Sequence, residues 1–283
     1  MELLKIIFIS IVQGITEFLP VSSSGHIFLL KNILNLEMNA TFDVVIHTGT
    51  LLAVIIFFYK DIKELVSGLF KKKIDSTIFG NNLTRKNYIY VFILFIIATI
   101  PGGIIGLLLN DPLDVSPSNT TSWMFLLLAI FFCITALFLL STHFTAKQNK
   151  KNKRITELSP VKALIIGLFQ ALAIFPGVSR SGSTLTASIY TRLERKDAAR
   201  FSFILSIPLI LAAFILKVLD LIQSPETADI KLLGYLTAGL IVSLITGFIS
   251  LKLLITMLQK GKLWFFSIYL IIPIAVSVYL WLK

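Results

Sequence analysis

The chain has 283 residues, of which 56% are hydrophobic and only 14% charged. A soluble domain cannot hide that much apolar surface, so the composition excludes a water-soluble enzyme and implies a polytopic membrane protein. The net charge of +11 is not read as a nucleic-acid footprint, because the basic residues fall mostly in short loops between apolar tracts, where they set membrane orientation.

Taken in chain order, the first apolar stretch covers residues 2–36 and is interrupted by Gly14, Pro20 and Gly25. It lacks a small-residue cleavage site and is expected to be retained, since it carries the polar run QGITEFLPVSSSGH from Gln13 to His26. Membrane spans are predicted over 43–59, 88–109, 122–142, 200–219, 231–258 and 263–282, each close to the ~20 residues that cross ~30 Å of hydrocarbon. Between the third and fourth lies a second interrupted stretch, 161–191, broken by Pro176, Gly177 and Gly182. Basic residues cluster at Lys60–Lys86, Lys147–Lys162, Arg192–Arg200 and at Lys260 with Lys262, which places these segments in the cytoplasm. The connections Asn110–Asn119 and Asp220–Asp229 carry acids without Lys or Arg and are placed outside. Both ends of 161–191 are then cytoplasmic, so this stretch is expected to be a re-entrant hairpin. By analogy, 2–36 enters from outside and returns there. The lone Cys133, in mid-span, can form no intrachain disulfide and is expected to be a small core residue.

A shift of 157 residues lays QGITEFLPVSSSG over QALAIFPGVSRSG. Gln13 meets Gln170, Phe18 meets Phe175, Val21 meets Val178, Ser22 meets Ser179, Ser24 meets Ser181 and Gly25 meets Gly182, while Ser23 falls opposite Arg180. Each half holds one hairpin and three spans, an odd number, so the second half is inverted relative to the first. The expected fold is all-α: an inverted-topology repeat of six transmembrane helices and two re-entrant helix-loop-helix hairpins in a single membrane domain. Repeat one covers about 1–145 and repeat two about 158–283, joined by a basic cytoplasmic loop. Such repeats place a site where their broken helices meet.

The residues at the breaks suggest what the site handles. Helices tend to end ahead of proline, and freed backbone inside a membrane is tolerated only where protein or water surrounds it. The serines and glycines after each break can form a backbone nest, with new helices starting near His26 and Ser183. Two helix N-termini facing each other suit a highly charged anion such as a diphosphate. A guanidinium at membrane depth costs at least ~3 kcal/mol and calls for a partner, so Arg180 reads either as a phosphate ligand or as the ion-pair partner of Glu17. Glu17 reads as a metal ligand or a general base, or else as a buried acceptor. Ser23 could attack phosphorus once a neighbour takes its proton, and His26 is a candidate for that neighbour or for substrate binding. His47 and His143 are assigned no catalytic role.

The pair QGITEFLPVSSSGH and FPGVSRSGST resembles the bacterial undecaprenyl-diphosphate phosphatase family, also called the bacitracin-resistance protein family. The similarity runs through FDVVIHTGTLLAV and FSFILSIP as well. The resemblance implies hydrolysis of undecaprenyl diphosphate to undecaprenyl phosphate and inorganic phosphate, which recycles the lipid carrier for cell-wall synthesis and confers bacitracin resistance. It implies a divalent cation, Mg²⁺ or Ca²⁺, held by Glu17. It also implies residence in the bacterial inner membrane, with the site open to the outer side. Carried over by position, Glu17, Ser23, His26 and Arg180 are catalytic, with Ser23 the favoured nucleophile. Gln13, Ser22, Ser24, Gly25, Ser179, Ser181 and Thr184 contact the substrate. Gln13 stands where many relatives have an acid, so it cannot act as a base or an anionic ligand. The implied partners are a polyprenyl diphosphate lipid and the bilayer, with no nucleic acid and with a homodimer among the admissible assemblies. The competing reading is a transporter or flippase of a phosphorylated polyprenyl lipid; a membrane protein with no site at all is disfavoured by the cost of Glu17 and Arg180.

Overall fold

Backbone N–H and C=O groups in hydrocarbon must bond within their own segment, and the apolar tracts accordingly fold as helices. A computed structural model describes residues 2–35, 40–71, 78–80, 83–108, 120–145, 152–223 and 230–283. The helices are α1 (Glu2–Phe18), α2 (Ser23–Ile33), α3 (Ala40–Phe57), α4 (Tyr59–Phe70), α5 (Arg85–Leu108), α6 (Ser122–Thr145), α7 (Pro160–Leu172), α8 (Arg180–Tyr190), α9 (Arg195–Gln223), α10 (Ile230–Gln259), α11 (Phe265–Tyr269) and α12 (Ile271–Leu282). An isolated β bridge joins Lys153 and Leu193.

Five segments are long and apolar enough to cross a membrane: α5, α6, most of α9 and of α10, and α11 with α12 taken together. The sixth is α3 joined to α4. The chain is therefore an all-α, multi-pass membrane protein. Cys133, expected in the core, is instead exposed on α6, and the spans differ from expectation in two details. The tract predicted to stop at residue 59 instead turns by 69° and continues as α4. The last span is interrupted at Leu270, between α11 and α12. The connection Asn110–Asn119, residues 224–229 of the other acidic connection, and Lys147, Lys150 and Lys151 of the basic linker lie outside the described residues.

The helices flanking the two breaks have 17, 11, 13 and 11 residues, each short of a full crossing. Their neighbours follow a reciprocal pattern. α1, from the first hairpin, packs on α10 of the second half, and α7, from the second hairpin, packs on α5 of the first. α6 packs on α12 and α3 on α9, so exchanging the halves maps each pairing onto another or onto itself. Small residues allow the close approach, as is usual between helices in lipid. A Cβ on Gly14 would lie 1.9 Å from the Thr246 hydroxyl on α10, and one on Gly167 would lie 2.4 Å from the Ala98 carbonyl on α5.

α8 is the exception to the apolar rule. Ser181, Ser183, Thr184, Thr186 and Ser188 are all buried, enclosed by α6, α7 and α9. A helix this polar is stable at membrane depth only inside such a sheath.

The basic end of the molecule does more than set topology. Arg200, grouped with the loop cations from sequence, lies within α9 and is 7% exposed. It bonds Asp61 (2.6 Å), Asp197 (2.8 Å) and the Ile78 carbonyl (2.7 Å). Arg154 joins the same Asp197 at 3.0 Å and the same carbonyl at 2.9 Å. Buried charges persist where each has several partners, and this network ties α4 and the segment before α7 to α9.

Candidate active site at the abutting hairpin tips

Both helices that follow a break start three residues earlier than the sequence reading placed them, at Ser23 and Arg180 rather than near His26 and Ser183. The cause is capping. Ser22 and Ser179 are the N-caps, and their hydroxyls accept from the Gly25 and Gly182 N–H groups at 3.4 and 3.1 Å. Each cap satisfies one of the orphan donors of a helix start. The two caps are 157 positions apart, as are the two glycines. Ser23, Ser24 and Gly25 thus form the first turn of α2, and Arg180, Ser181 and Gly182 form that of α8.

The tips touch. A Cβ on Gly25 would lie 3.0 Å from the Gly177 Cα, and one on Gly182 would lie 3.4 Å from the Pro20 Cβ. The 157-residue shift exchanges these two contacts. The Gly177 N–H donates to the Ser22 hydroxyl across the junction (3.1 Å), and Ser22 holds a positive φ of 70° to receive it. Thr135 of α6 braces the second tip: its hydroxyl donates to the Gly177 carbonyl (2.9 Å) and accepts from the Ser179 N–H (3.0 Å).

The charged chemistry breaks this symmetry and centres on Glu17, in the last turn of α1. Its Oε2 accepts from the Ser23 hydroxyl at 2.6 Å and from the Gln13 side-chain amide at 2.9 Å. Its Oε1 is bonded to the guanidinium of Arg180, from the opposite hairpin. The Glu17 side chain is 4% exposed, whereas that of Arg180 is 23% exposed. Arg180 uses one Nη on Glu17, which leaves further donors of its planar fork for a second anion.

His26 is engaged elsewhere. Its Nδ1 faces the Ser22 carbonyl at 2.8 Å and its Nε2 the Tyr269 hydroxyl at 2.9 Å, with the two rings stacked at 5.7 Å. Of the two proton acceptors considered for Ser23, the geometry puts Glu17, and not His26, against its hydroxyl. Ser24 reaches the Ser22 hydroxyl at 3.3 Å, and Ser181 reaches that of Ser179 at 3.2 Å. Thr184 is fully buried and bonded to the Arg180 carbonyl (2.8 Å) and to Ser202. Glu17, Ser23, Arg180 and Gln13 thus form one connected group, flanked by the two serine caps, with His26 on one side and Thr184 behind Arg180.

Two further residues bond to this group, Tyr269 to His26 and Thr135 to the second tip. Neither carried a signal beyond being a polar group in an apolar tract. Gln170 was visible as the repeat partner of Gln13; it is 3% exposed, and neither its amide oxygen nor its nitrogen has a partner among the described residues.

A helical multi-pass protein that pairs a buried carboxylate with a guanidinium at the junction of two broken hairpins is an integral membrane protein with an enclosed polar site. The particular family follows from comparison with known proteins. The family described as "Bacitracin resistance protein BacA" matches residues 6–276. A protein named undecaprenyl-diphosphatase from Methanosphaera stadtmanae is 38% identical over 95% of this chain and 94% of its own length. Proteins of the same name from Thermosipho africanus and Treponema denticola are 38% and 37% identical, over 94% and 99% of this chain and 95% and 98% of their own. The chain belongs to the bacitracin resistance protein BacA family.

Proposed function

We propose that this protein is a hydrolase that converts undecaprenyl diphosphate to undecaprenyl phosphate and inorganic phosphate, and that the chemistry takes place where the hairpin tips meet. Relatives spanning nearly the whole chain bear the name of that activity. The observation that carries the reading is the junction of Ser23, Glu17 and Arg180, which joins a nucleophile, a base and a phosphate-binding cation across two chain segments. Recycling of the lipid carrier for cell-wall synthesis and bacitracin resistance follow from the activity.

Ser23 Oγ attacks the terminal phosphorus while its proton passes to Glu17 Oε2. A bond forms from Oγ to phosphorus, and the bond from phosphorus to the bridging oxygen breaks, releasing undecaprenyl phosphate. Water then attacks the phosphoserine, Glu17 returns the proton to Oγ, and inorganic phosphate leaves. Arg180 and the first-turn N–H groups of α2 and α8 bind the phosphate oxygens, since both helices present their positive ends to the tips. Most of the catalysis is positioning and charge stabilisation, as phosphoryl transfer requires. His26, held between Ser22 and Tyr269, borders the phosphate site.

The donor set fits a hard divalent cation, Mg²⁺ or Ca²⁺. The Glu17 carboxylate and the amide oxygen of Gln13, which is buried without a partner, are both oxygen ligands, and substrate oxygens and water would complete the shell. When bound, the cation neutralises charge on the diphosphate. In the same proposal the two halves are inverted repeats of about 1–145 and 158–283, the protein lies in the bacterial inner membrane, and the tips open to its outer side.

The test is phosphate release from undecaprenyl diphosphate by purified protein in detergent, where no second compartment exists. Turnover supports hydrolysis. A folded protein that binds the substrate without releasing phosphate would indicate a carrier of phosphorylated lipid.

A further inference from the structure

A polar cavity of about 760 Å³ opens at the basic end of the molecule. It lies beyond the C-terminus of α8, whereas Arg180 is the first residue of that helix. At 1.5 Å per residue this separation is roughly 18 Å along the axis, so the cavity is distinct from the hairpin tips. Its wall carries three cations, Arg192, Arg195 and Lys196, against one carboxylate, Glu194. Thr145 and Asn152 add hydrogen-bonding groups, and Leu258 and Leu263 form an apolar side.

Two features separate this cavity from an incidental gap between loops. Arg192 has φ 68° directly after the C-cap of α8. That position favours glycine, so an arginine is held there at a cost in backbone strain. Arg195 and Lys196 occupy the first turn of α9, where the helix dipole disfavours cations and favours an anion. Arg195 is anchored to the Gln259 carbonyl at 2.8 Å. Arg192 and Lys196 are exposed, and among the described residues their side chains have no partner. Asp197 already lies in the first turn of α9 and Arg195 is anchored, so it is Arg192 and Lys196 whose placement a negatively charged ligand would offset.

The surroundings indicate where that ligand comes from. Tyr190 lines the cavity, Phe144 adjoins Thr145 of its wall, and Phe265 lies two residues beyond Leu263 of its wall; their exposures are 43%, 66% and 41%. Trp264 stacks on Phe265 at 4.0 Å and meets His143 edge-on at 5.4 Å. A belt of exposed aromatic rings marks the level of lipid headgroups, and basic pockets between helices at that level suit anionic ones. We propose that this cavity binds the phosphate headgroup of an anionic phospholipid, with Arg192 and Lys196 as its principal contacts and the acyl chains lying against the aromatic rim. The proposal requires only that the protein spans a membrane; it stands apart from the hydrolysis assigned to the hairpin tips.

The experiment titrates phosphatidylglycerol, phosphatidylcholine and inorganic phosphate separately into delipidated full-length protein in neutral detergent. Bound lipid is read by native mass spectrometry and bound phosphate by equilibrium dialysis. Wild-type protein is expected to bind phosphatidylglycerol at least about tenfold more tightly than phosphatidylcholine, the worth of one or two cation–headgroup contacts. Arg192→Gly combined with Lys196→Gln is expected to bring that ratio close to one without lowering Tm, since glycine accepts the backbone conformation at 192. Lys196→Glu alone, at an exposed position, provides an independent variant with the same expected direction. Preference for phosphatidylglycerol that survives both substitutions overturns the proposal. So does equal binding of the two lipids alongside phosphate bound through Arg192, which would assign the cavity to a soluble anion.

Discussion

Replacing Glu17 by glutamine alters the site by little more than a charge. The side chain keeps its volume, and its amide oxygen can still accept from Ser23 and Gln13, which now share Oε2 at 2.6 and 2.9 Å. Besides an anionic ligand for the proposed cation, two things are lost. An amide cannot take the Ser23 proton, and removal of a positioned general base costs about 10²–10⁴ in rate, or roughly 3–5 kcal/mol of transition-state stabilisation. The amide N–H₂ also faces Arg180 in place of a carboxylate oxygen. Removing one partner of a fully buried pair costs about 3–5 kcal/mol; with Arg180 about a quarter exposed, water recovers part of this, and a loss of about 1–3 kcal/mol is expected. The assay pairs steady-state phosphate release with thermal unfolding in the same detergent. Glu17→Gln is expected to lower kcat by about 10²–10⁴ with little change in KM, in a protein that elutes as folded. A kcat within about threefold of wild type, well under the general-base effect, would refute the assignment of Glu17 as base.

Other substitutions probe the same junction from different sides. Arg180→Ala should abolish turnover while the protein stays folded, because Glu17 retains Ser23 and Gln13 as partners; Arg180→Lys should restore only part of the rate, since it keeps the charge but not the planar fork. Gly25→Ala would place its Cβ 2.6 Å from the Phe132 ring, and overpacking of this kind is expected to cost about 1–3 kcal/mol in a thermal melt, with activity lost through misalignment of the tips. Chelation should stop phosphate release and added Mg²⁺ or Ca²⁺ should restore it. Gln13→Glu, which supplies a second carboxylate beside Glu17, should lower the cation concentration needed for half-maximal activity, and an unchanged requirement would remove position 13 from the cation site.

The sequence revealed the frame because the frame depends on patterns that do not need contacts. Apolar length marked the spans, proline and glycine marked the breaks, and the 157-residue shift paired Ser22 with Ser179 before either was seen to cap a helix. The helix starts were misplaced by three residues because the run SSSG was read as a nest rather than as a cap with its first turn. Serine serves either purpose, and only the hydrogen bond to the Gly25 N–H decides between them. The turn between α3 and α4 was missed because Phe57 to Tyr59 is as apolar as the span before it. Glu17 and Arg180 could be named from cost alone, since each is expensive at membrane depth. That they bond each other across 163 positions was one of two readings left open, and the structure contains the pair. Tyr269 was not anticipated: it reaches His26 over 243 positions from a last span whose interruption, three residues ahead of Pro273, was overlooked although proline marked the other breaks.

The central claim is that the hydroxyl of Ser23, on one hairpin, attacks a phosphorus held by Arg180 of the other. It is tested most directly by acid-quenching wild-type enzyme during turnover of substrate radiolabelled at the terminal phosphate, then locating the label by peptide mapping. The account predicts a phosphoserine at Ser23 that is absent from Ser23→Ala, together with loss of turnover in that variant. Full phosphate release by Ser23→Ala, with no labelled serine in either protein, would contradict it and assign the attack to water.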